Sequence, residues 1–100
     1  MSNIVKRFDS YKLWYYSGHK FPAHIQCFDE LKPSGNITFY KDGDPAPANK
    51  RDDFTIYYPM SRFDDVITIL RYEKPLYLLM TRDLIGWIGT SDLEPVGEQE

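Results

Sequence analysis

Short hydrophobic and aromatic segments, separated by polar turns, alternate along most of the chain. They span residues 11–17, 21–28, 36–41, 54–58, 76–80 and 84–90. Aromatic and β-branched residues in such short runs favour strands, because their side chains fit a pleated surface. We therefore predict about five to six strands, with the first two joined as an antiparallel hairpin through residues 17–20. Residues 1–9 are polar and without a pattern, and we expect a lead-in there.

A different period marks residues 61–73. Phe63, Val66, Ile67 and Leu70 recur at the spacing i, i+3, i+4 and i+7. This spacing places the four side chains on one face of a helix. A strand over residues 66–70 is the competing interpretation, since its residues have high β-propensity. The helical period predicts one helix at about 61–73.

The ends of this helix are marked by the flanking residues. Ser61 and Asp64 match a capping box, in which the hydroxyl accepts a hydrogen bond from a first-turn N–H and the carboxylate reaches back. Pro75 disfavours the α conformation at the residue before it. We predict that the helix opens at Ser61 and stops before Pro75.

The connections between elements have their own signals. Residues 32–35 (Lys-Pro-Ser-Gly) predict a turn, and residues 81–83 predict the turn of a second hairpin. Residues 42–53 contain two prolines and no large apolar side chain, which predicts a long exposed loop that is either mobile or used for contact. Residues 76–80 are apolar at odd and even positions, so we expect a central strand covered on both faces.

These elements define an α+β fold. We predict a twisted antiparallel sheet of about five to six strands that could curl toward a barrel, with one helix on one face. One hundred residues, 42% of them hydrophobic, suit one domain over residues 1–100. Its folded core is expected at about 10–92, followed by a flexible acidic tail at about 93–100.

Charge and cysteine content narrow the classes of protein. The net charge is −3: residues 1–50 carry seven Lys and Arg against five Asp and Glu, and residues 51–100 carry five against ten. No basic stripe of the kind that binds phosphates is present. A single cysteine allows no intrachain disulfide, and no apolar run suits a signal peptide or a membrane span. We expect a cytoplasmic protein without membrane contact.

One cluster has the side chains needed for metal binding or nucleophilic catalysis. It consists of His19, His24, Cys27 and Asp29. His24 and Cys27 lie three positions apart on a predicted strand, so they point to opposite faces, and paired ligand spacings are absent. We expect a buried Cys27, a partly exposed His24 and a His19 in a turn. No enzymatic activity, cofactor or metal site is predicted.

The aromatic residues remain as candidates for function, because one sheet and one helix cannot cover all of them. Outward-facing Tyr and Trp are typical of protein interfaces and of single-strand stacking platforms. The candidate binding residues are Trp14, Tyr16, Tyr40, Tyr58 and Trp87. We predict a non-enzymatic interaction module that binds a protein or peptide, or forms a homodimer. The alternative is a small single-stranded nucleic-acid-binding protein, whose phosphate contacts would be Lys12, Lys20, Lys41, Lys50 and Arg51.

The C-terminal third carries a resemblance. The segment at residues 94–98 (Glu-Pro-Val-Gly-Glu) follows a Tyr-rich hairpin that ends in Ile-Gly-Thr at residues 88–90. From Tyr58 onward, this arrangement resembles the ending of some small bacterial proteins of unassigned function. The resemblance implies no activity, ligand or site.

Overall fold

Seven strands and one α-helix make up the computed structural model, which describes residues 4–72 and 76–89. In chain order they are β1 (Ile4–Phe8), β2 (Ser10–Tyr15), β3 (Ala23–Asp29), β4 (Lys32–Tyr40), β5 (Thr55–Pro59), a 3₁₀ turn (Met60–Arg62), α1 (Phe63–Tyr72), β6 (Leu76–Met80) and β7 (Gly86–Gly89). The predicted α+β class is confirmed. The predicted tail at 93–100 lies outside the described residues.

The strands are divided between two sheets. The larger sheet has the order β2-β3-β4-β5 and the smaller has the order β1-β6-β7. All neighbours are antiparallel except β4 and β5, which are parallel. The sheets face each other and do not close into a barrel, so the predicted single antiparallel sheet is replaced by two layers.

Strand β1 lies in the segment that the sequence indicated as a lead-in, and that prediction is wrong. β1 pairs along its whole length with β6, from Ile4 opposite Met80 to Phe8 opposite Leu76. Phe8 is buried, and Ile4 is partly buried against the core. Lys6 occupies the position between them on the same face and stays exposed. This charged residue at an inward position interrupts the pattern that would have identified the strand.

The hydrophobic core fills the space between the two sheets and beneath the helix. The larger sheet contributes Ala23, Ile25, Cys27, Ile37, Phe39 and Ile56, the smaller sheet contributes Phe8, Leu76, Leu78 and Met80, and the helix contributes Val66 and Leu70. Burial of this apolar surface is the main force that stabilises the fold. β6 is central in its sheet as predicted, with one face buried and the other half-buried.

The helix is confirmed, since the helical segment runs from Met60 to Tyr72 as a 3₁₀ turn followed by α1, but the predicted capping box at Ser61 and Asp64 is wrong. Ser61 lies inside the 3₁₀ turn that precedes α1, and Pro59 is the residue at the N-cap position of that turn. The backbone N–H of Ser61 donates to Oδ1 of Asp42, at 3.0 Å. The carboxylate comes from the preceding long loop, so the cap is supplied by a distant residue that local spacing does not reveal. The predicted stop at Pro75 lies outside the described residues.

The turn between β3 and β4 is formed by Glu30 and Leu31, so the predicted turn at 32–35 is wrong. Both residues have positive φ, 51° and 72°. This is the backbone of the tight hairpin turn that matches the twist of the flanking strands. Pro33 lies in β4 opposite Phe28, where the register shifts at a bulge. A proline is tolerated at a bulge because the ladder hydrogen bond is already interrupted there.

The predicted loop at 42–53 is confirmed as a connection between strands, and its second half is held in place. The Asn49 amide donates to the Leu84 carbonyl, at 2.8 Å, and its oxygen accepts from the Tyr57 N–H, at 2.9 Å. Arg51 donates to the Thr81 carbonyl, at 3.0 Å. The loop thereby joins the β5 edge of the larger sheet to the β6–β7 turn. That turn is at the predicted place, closed by the Leu84 N–H donating to Thr81.

Close approach of the sheets at Gly35 leads to a stability prediction. A Cβ atom on Gly35 would lie 2.6 Å from Cδ1 of the buried Leu78 and 3.2 Å from the Phe54 carbonyl oxygen. Gly35→Ala should therefore lower the free energy of unfolding by about 1–3 kcal/mol through overpacking. Urea denaturation measures this change. Gly89→Ala is the matched control, because its nearest contact would be an ordinary 3.5 Å, and an equal loss in both variants would contradict the explanation.

Candidate functional site

The register of the larger sheet separates its inner face, toward the core, from its outer face. Residues directly opposite each other in an antiparallel pair share a face. Trp14 is opposite His24, and His24 is opposite Thr38. The outer face is polar and aromatic, and it carries Lys12, Trp14, His24, Gln26, Asn36, Thr38, Thr55 and Tyr57. It lies on the side of the sheet away from the smaller sheet.

Rings line the outer face near the β2–β3 turn. The Trp14 and His24 ring centroids are 5.7 Å apart, and Tyr16 stacks on His19 at 4.7 Å. Phe21 and Tyr57 follow at 5.8 Å. A pocket of about 350 Å³ lies among these rings and is lined by Tyr16, His19, Phe21, His24, Asn36, Thr38, Asp53, Thr55 and Tyr57. We call these pocket-lining residues together with Trp14 the outer aromatic face.

His24 at the centre of this face favours its neutral form. Partial burial lowers the pKa of His24, and the nearby Asn36 side chain and the Asp53 carboxylate oppose this with smaller effects. Nδ1 lies 2.9 Å from Oγ1 of Thr38. The His24 ring also packs against the Trp14 indole, with ring centroids 5.7 Å apart.

Strand β2 borders this face and forms the edge of the larger sheet. Within residues 4–72 and 76–89 it pairs on one side only, with β3. All its residues except Tyr11 are exposed, including three large apolar side chains: Leu13 at 43%, Trp14 at 38% and Tyr15 at 69%. An edge strand with unpaired backbone groups is a template for another strand.

The hydrogen bonding of β2 shows which peptide groups point away from β3. The Tyr16 N–H donates to the Pro22 carbonyl, at 2.7 Å, just beyond the pair Tyr15–Ala23. Antiparallel pairs alternate in hydrogen bonding, so Lys12 and Trp14 bond to β3. The N–H and C=O groups of Tyr11, Leu13 and Tyr15 therefore point away from the sheet. We call this row of groups the free edge of β2.

The inner side of β2 is less covered than the inner side of the neighbouring strand β3. Tyr15 stacks on Phe63 of the helix with ring centroids 5.3 Å apart, and Phe63 meets the buried Phe39 edge-on at 5.1 Å. Tyr15 is nevertheless the most exposed aromatic side chain of β2, and Leu13 beside it is uncovered. The exposed inner side chains of β2, Leu13 and Tyr15, therefore form an apolar surface at the margin of the core, which we call the apolar overhang.

The five candidate residues do not form one surface. Trp14 and Tyr16 lie together on the outer aromatic face. Tyr40 is next to it, in a separate pocket of about 490 Å³ that shares Phe21 with the first. Trp87 is on the smaller sheet, on the face away from the core, in a row with Leu79 and Val5.

Tyr58 lies inside, which makes the expectation that it faces outward wrong. Its ring packs against the core, 6.4 Å from the Phe39 ring centroid. Burial raises the pKa of Tyr58, while a hydrogen bond to the backbone of Ile88 has a smaller opposing effect. Tyr58 therefore faces the inner side of the larger sheet and is partly buried against the core.

Leu13 and Tyr15 were not predicted to be binding residues. They lie opposite Ala23 and Ile25 of β3 on the inner face, and of these four residues only Ala23 and Ile25 are buried. No local signal identifies them, because coverage by a second layer is a long-range property.

Strand parity separates His24 from Cys27 as expected, while His19 and His24 line the same pocket. Cys27 is fully buried, His24 is on the opposite face, His19 stacks on Tyr16, and Asp29 pairs with Arg7. Within the described part of the chain, no group of three or more His, Cys, Asp or Glu side chains is gathered closely enough to hold a metal ion.

Comparisons with known protein families, with curated proteins and with solved structures gave no match in any of the three. The resemblance of the C-terminal third to small bacterial proteins therefore stays a prediction. No helix in residues 4–72 and 76–89 has the length and apolar character to cross a membrane.

Cys27 should be inert toward thiol reagents in the native protein. Burial raises the pKa of the Cys27 thiol to about 12, and its side chain has no exposed surface. Because the thiolate is the reactive form, labelling by a disulfide reagent should wait for unfolding. The reaction can be followed by absorbance, with protein in denaturant as the control. Rapid labelling of the folded protein would contradict this placement.

His24 should make stability depend on pH. The pKa of His24 in the folded state is below the ordinary 6.5, so below that pH the unfolded chain binds more protons than the native state. Its contribution to stability is therefore present above about pH 6.5 and declines as the pH falls toward the native pKa. Unfolding titrations across this range should show a smaller loss in His24→Gln than in the unsubstituted protein. Equal losses would show that His24 is not responsible.

Proposed function

We propose that this protein is a non-enzymatic, cytoplasmic interaction module that binds an extended protein segment, from another protein or from a second copy, along β2. The observation that supports this proposal is the free edge of β2, flanked by the exposed side chains of Leu13, Trp14 and Tyr15. Adding a strand satisfies the backbone groups of Tyr11, Leu13 and Tyr15 at the same time as it covers apolar surface.

In strand addition, the backbone and the side chains contribute differently to binding. Main-chain hydrogen bonds provide affinity that is largely independent of sequence, and alternate side chains provide specificity. One set of side chains of the bound strand would pack beside Leu13 and Tyr15 on the inner side. The other set would lie beside Trp14 and Tyr16 on the outer aromatic face. A partner with large apolar side chains at every second position fits both sides.

Lys12 opposes nonspecific pairing of the β2 edge with other strands. It is the charged residue in the middle of the exposed edge, and its ammonium lies 5.7 Å from the Phe28 ring centroid. Natural edge strands often carry lysine, which opposes uncontrolled edge-to-edge pairing. A partner strand must offer Lys12 an acidic or aromatic neighbour.

Binding of single-stranded nucleic acid is the second candidate, because the outer aromatic face offers rings on which bases could stack. Lys12 and Lys20 lie at its margin. Asp53, however, lines the same pocket, and Arg51 is engaged with the Thr81 carbonyl. The net charge of −3 also opposes phosphate binding. Tryptophan fluorescence with mixed oligonucleotides at low salt tests this candidate, and saturable binding would favour it over strand addition.

Two tryptophans provide a matched test of strand addition. Trp14 on β2 is 38% exposed and Trp87 on the smaller sheet is 37% exposed. For a peptide selected on the protein from a randomised display library, Trp14→Ala should weaken binding about tenfold, as at an interface centre, and Trp87→Ala should leave it unchanged. Fluorescence anisotropy of the labelled peptide measures both affinities.

Hydrogen exchange locates the bound peptide on the chain. Protection should increase at the Tyr11, Leu13 and Tyr15 amides, which point away from β3, and change little at Lys12 and Trp14, which are already bonded. Protection confined to other elements, or an equal effect of both tryptophan variants, would overturn the proposed function.

A further inference from the structure

We infer that the strand received by β2 is β2 of a second copy, paired antiparallel about a two-fold axis at Leu13. The inference rests on the proposed function, because it names the occupant of the same free edge. In this dimer Leu13 lies opposite Leu13 of the second copy, Lys12 lies opposite Trp14, and Tyr11 lies opposite Tyr15. The two four-stranded sheets then continue into each other across the pair.

Strand geometry restricts the registers that are available. A two-fold axis perpendicular to the sheet keeps the outer face of each copy on the same side, so opposite residues must have the same parity. The hydrogen-bonded pairs must also come from the free edge, which consists of Tyr11, Leu13 and Tyr15. Centring the axis on Leu13 uses all three, and since each such pair exchanges two bonds, about six backbone hydrogen bonds form.

The side chains of β2 select the same register. Residues 11–15 read Tyr-Lys-Leu-Trp-Tyr, so reversal about Leu13 matches Tyr with Tyr and Lys with Trp. The Lys12 ammonium then faces the Trp14 ring, which is the strongest aromatic partner for a cation. A register centred on Lys12 would instead place two ammonium groups opposite each other, which is unfavourable. A register centred on Trp14 leaves Tyr11 without a partner inside β2.

The apolar overhang of β2, formed by Leu13 and Tyr15, is surface that such a dimer would cover. Leu13 and Tyr15 are exposed on the side that faces the core, where Tyr15 stacks on Phe63 at the start of the helix and still has 69% of its surface exposed. In the dimer, the Leu13 side chains meet at the axis and each Tyr15 meets Tyr11 of the other copy. Stacking on Phe63 already orients the Tyr15 ring, so less of its freedom is lost on association.

Oligomeric state is the first test. Sedimentation equilibrium of the full chain from micromolar to millimolar concentration should show a monomer–dimer equilibrium. Trp14→Ala should raise the dissociation constant about tenfold, and Trp87→Ala should leave it unchanged. Leu13→Pro should give a monomer, because it removes a donor from the free edge without removing a bond to β3.

A second variant covers the case in which Leu13→Pro fails to fold. Leu13→Lys places two ammonium groups opposite each other at the axis and should also give a monomer. Circular dichroism and the melting temperature establish that each variant is folded. A dimer that persists in folded Leu13→Lys would overturn the inference.

Disulfide trapping tests the register. In the inferred dimer Lys12 and Trp14 form a non-hydrogen-bonded pair, whose Cα atoms are about 4.5 Å apart, within the range that a disulfide spans. A mixture of Lys12→Cys and Trp14→Cys proteins should form a cross-linked dimer on mild oxidation, and neither variant should do so alone. The native Cys27 is buried and does not compete. Cross-linking of Lys12→Cys by itself, or of Trp14→Cys by itself, would exclude this register.

The outcomes separate this inference from the proposed function. A monomer at all concentrations that still binds a selected peptide, with new protection at Leu13 and Tyr15, overturns the dimer and retains strand addition. A monomer that binds no peptide overturns both. A dimer weakened by Trp87→Ala and not by Trp14→Ala places the interface on the smaller sheet and overturns the inference.

Discussion

The change of sheet at Asp9 is the constraint on which the arrangement of this protein depends. β1 and β2 form nearly one continuous run, but β1 pairs with β6 and β2 pairs with β3. Arg7 bonds to Asp29 in the neighbouring hairpin, and the Ser34 hydroxyl donates to the Arg7 carbonyl, at 2.7 Å. These contacts hold the corner. The run thus supplies an edge strand to each sheet, and the Leu13 and Tyr15 side chains on β2 stay exposed.

This geometry explains why apolar side chains are exposed on both sides of one strand. On the outer side, Trp14 packs against His24, with ring centroids 5.7 Å apart. On the inner side, Tyr15 reaches only the first residue of the helix, Phe63. A strand with exposed apolar side chains on both sides and no second partner within residues 4–72 and 76–89 is a template for pairing with another strand. This edge is the one on which the proposed function depends, and Lys12 is its charged residue.

Pro33 and Gly35, which predicted a turn at residues 32–35, each mark a different backbone requirement of β4. Pro33 lies at a bulge opposite Phe28, where no ladder bond is lost. Gly35 lies where Leu78 of the other sheet approaches too closely for a side chain. The turn itself uses Glu30 and Leu31 at positive φ, residue types that rarely mark such turns. A proline or glycine in the sequence indicates a special backbone position. Only the tertiary structure shows whether that position is a turn, a bulge or a close approach between sheets.

The sequence alone determined the helix, six of the seven strands, the parity that separates His24 from Cys27, and an excess of aromatic surface, because these follow from local periodicity. Tertiary structure decided which rings remain exposed. Tyr58 is packed against the core and Tyr15 is exposed, although both face the inner side of the sheet. The difference depends on which second layer lies beneath each strand. That is set by pairing between distant segments, such as β1 with β6, and no local pattern encodes it.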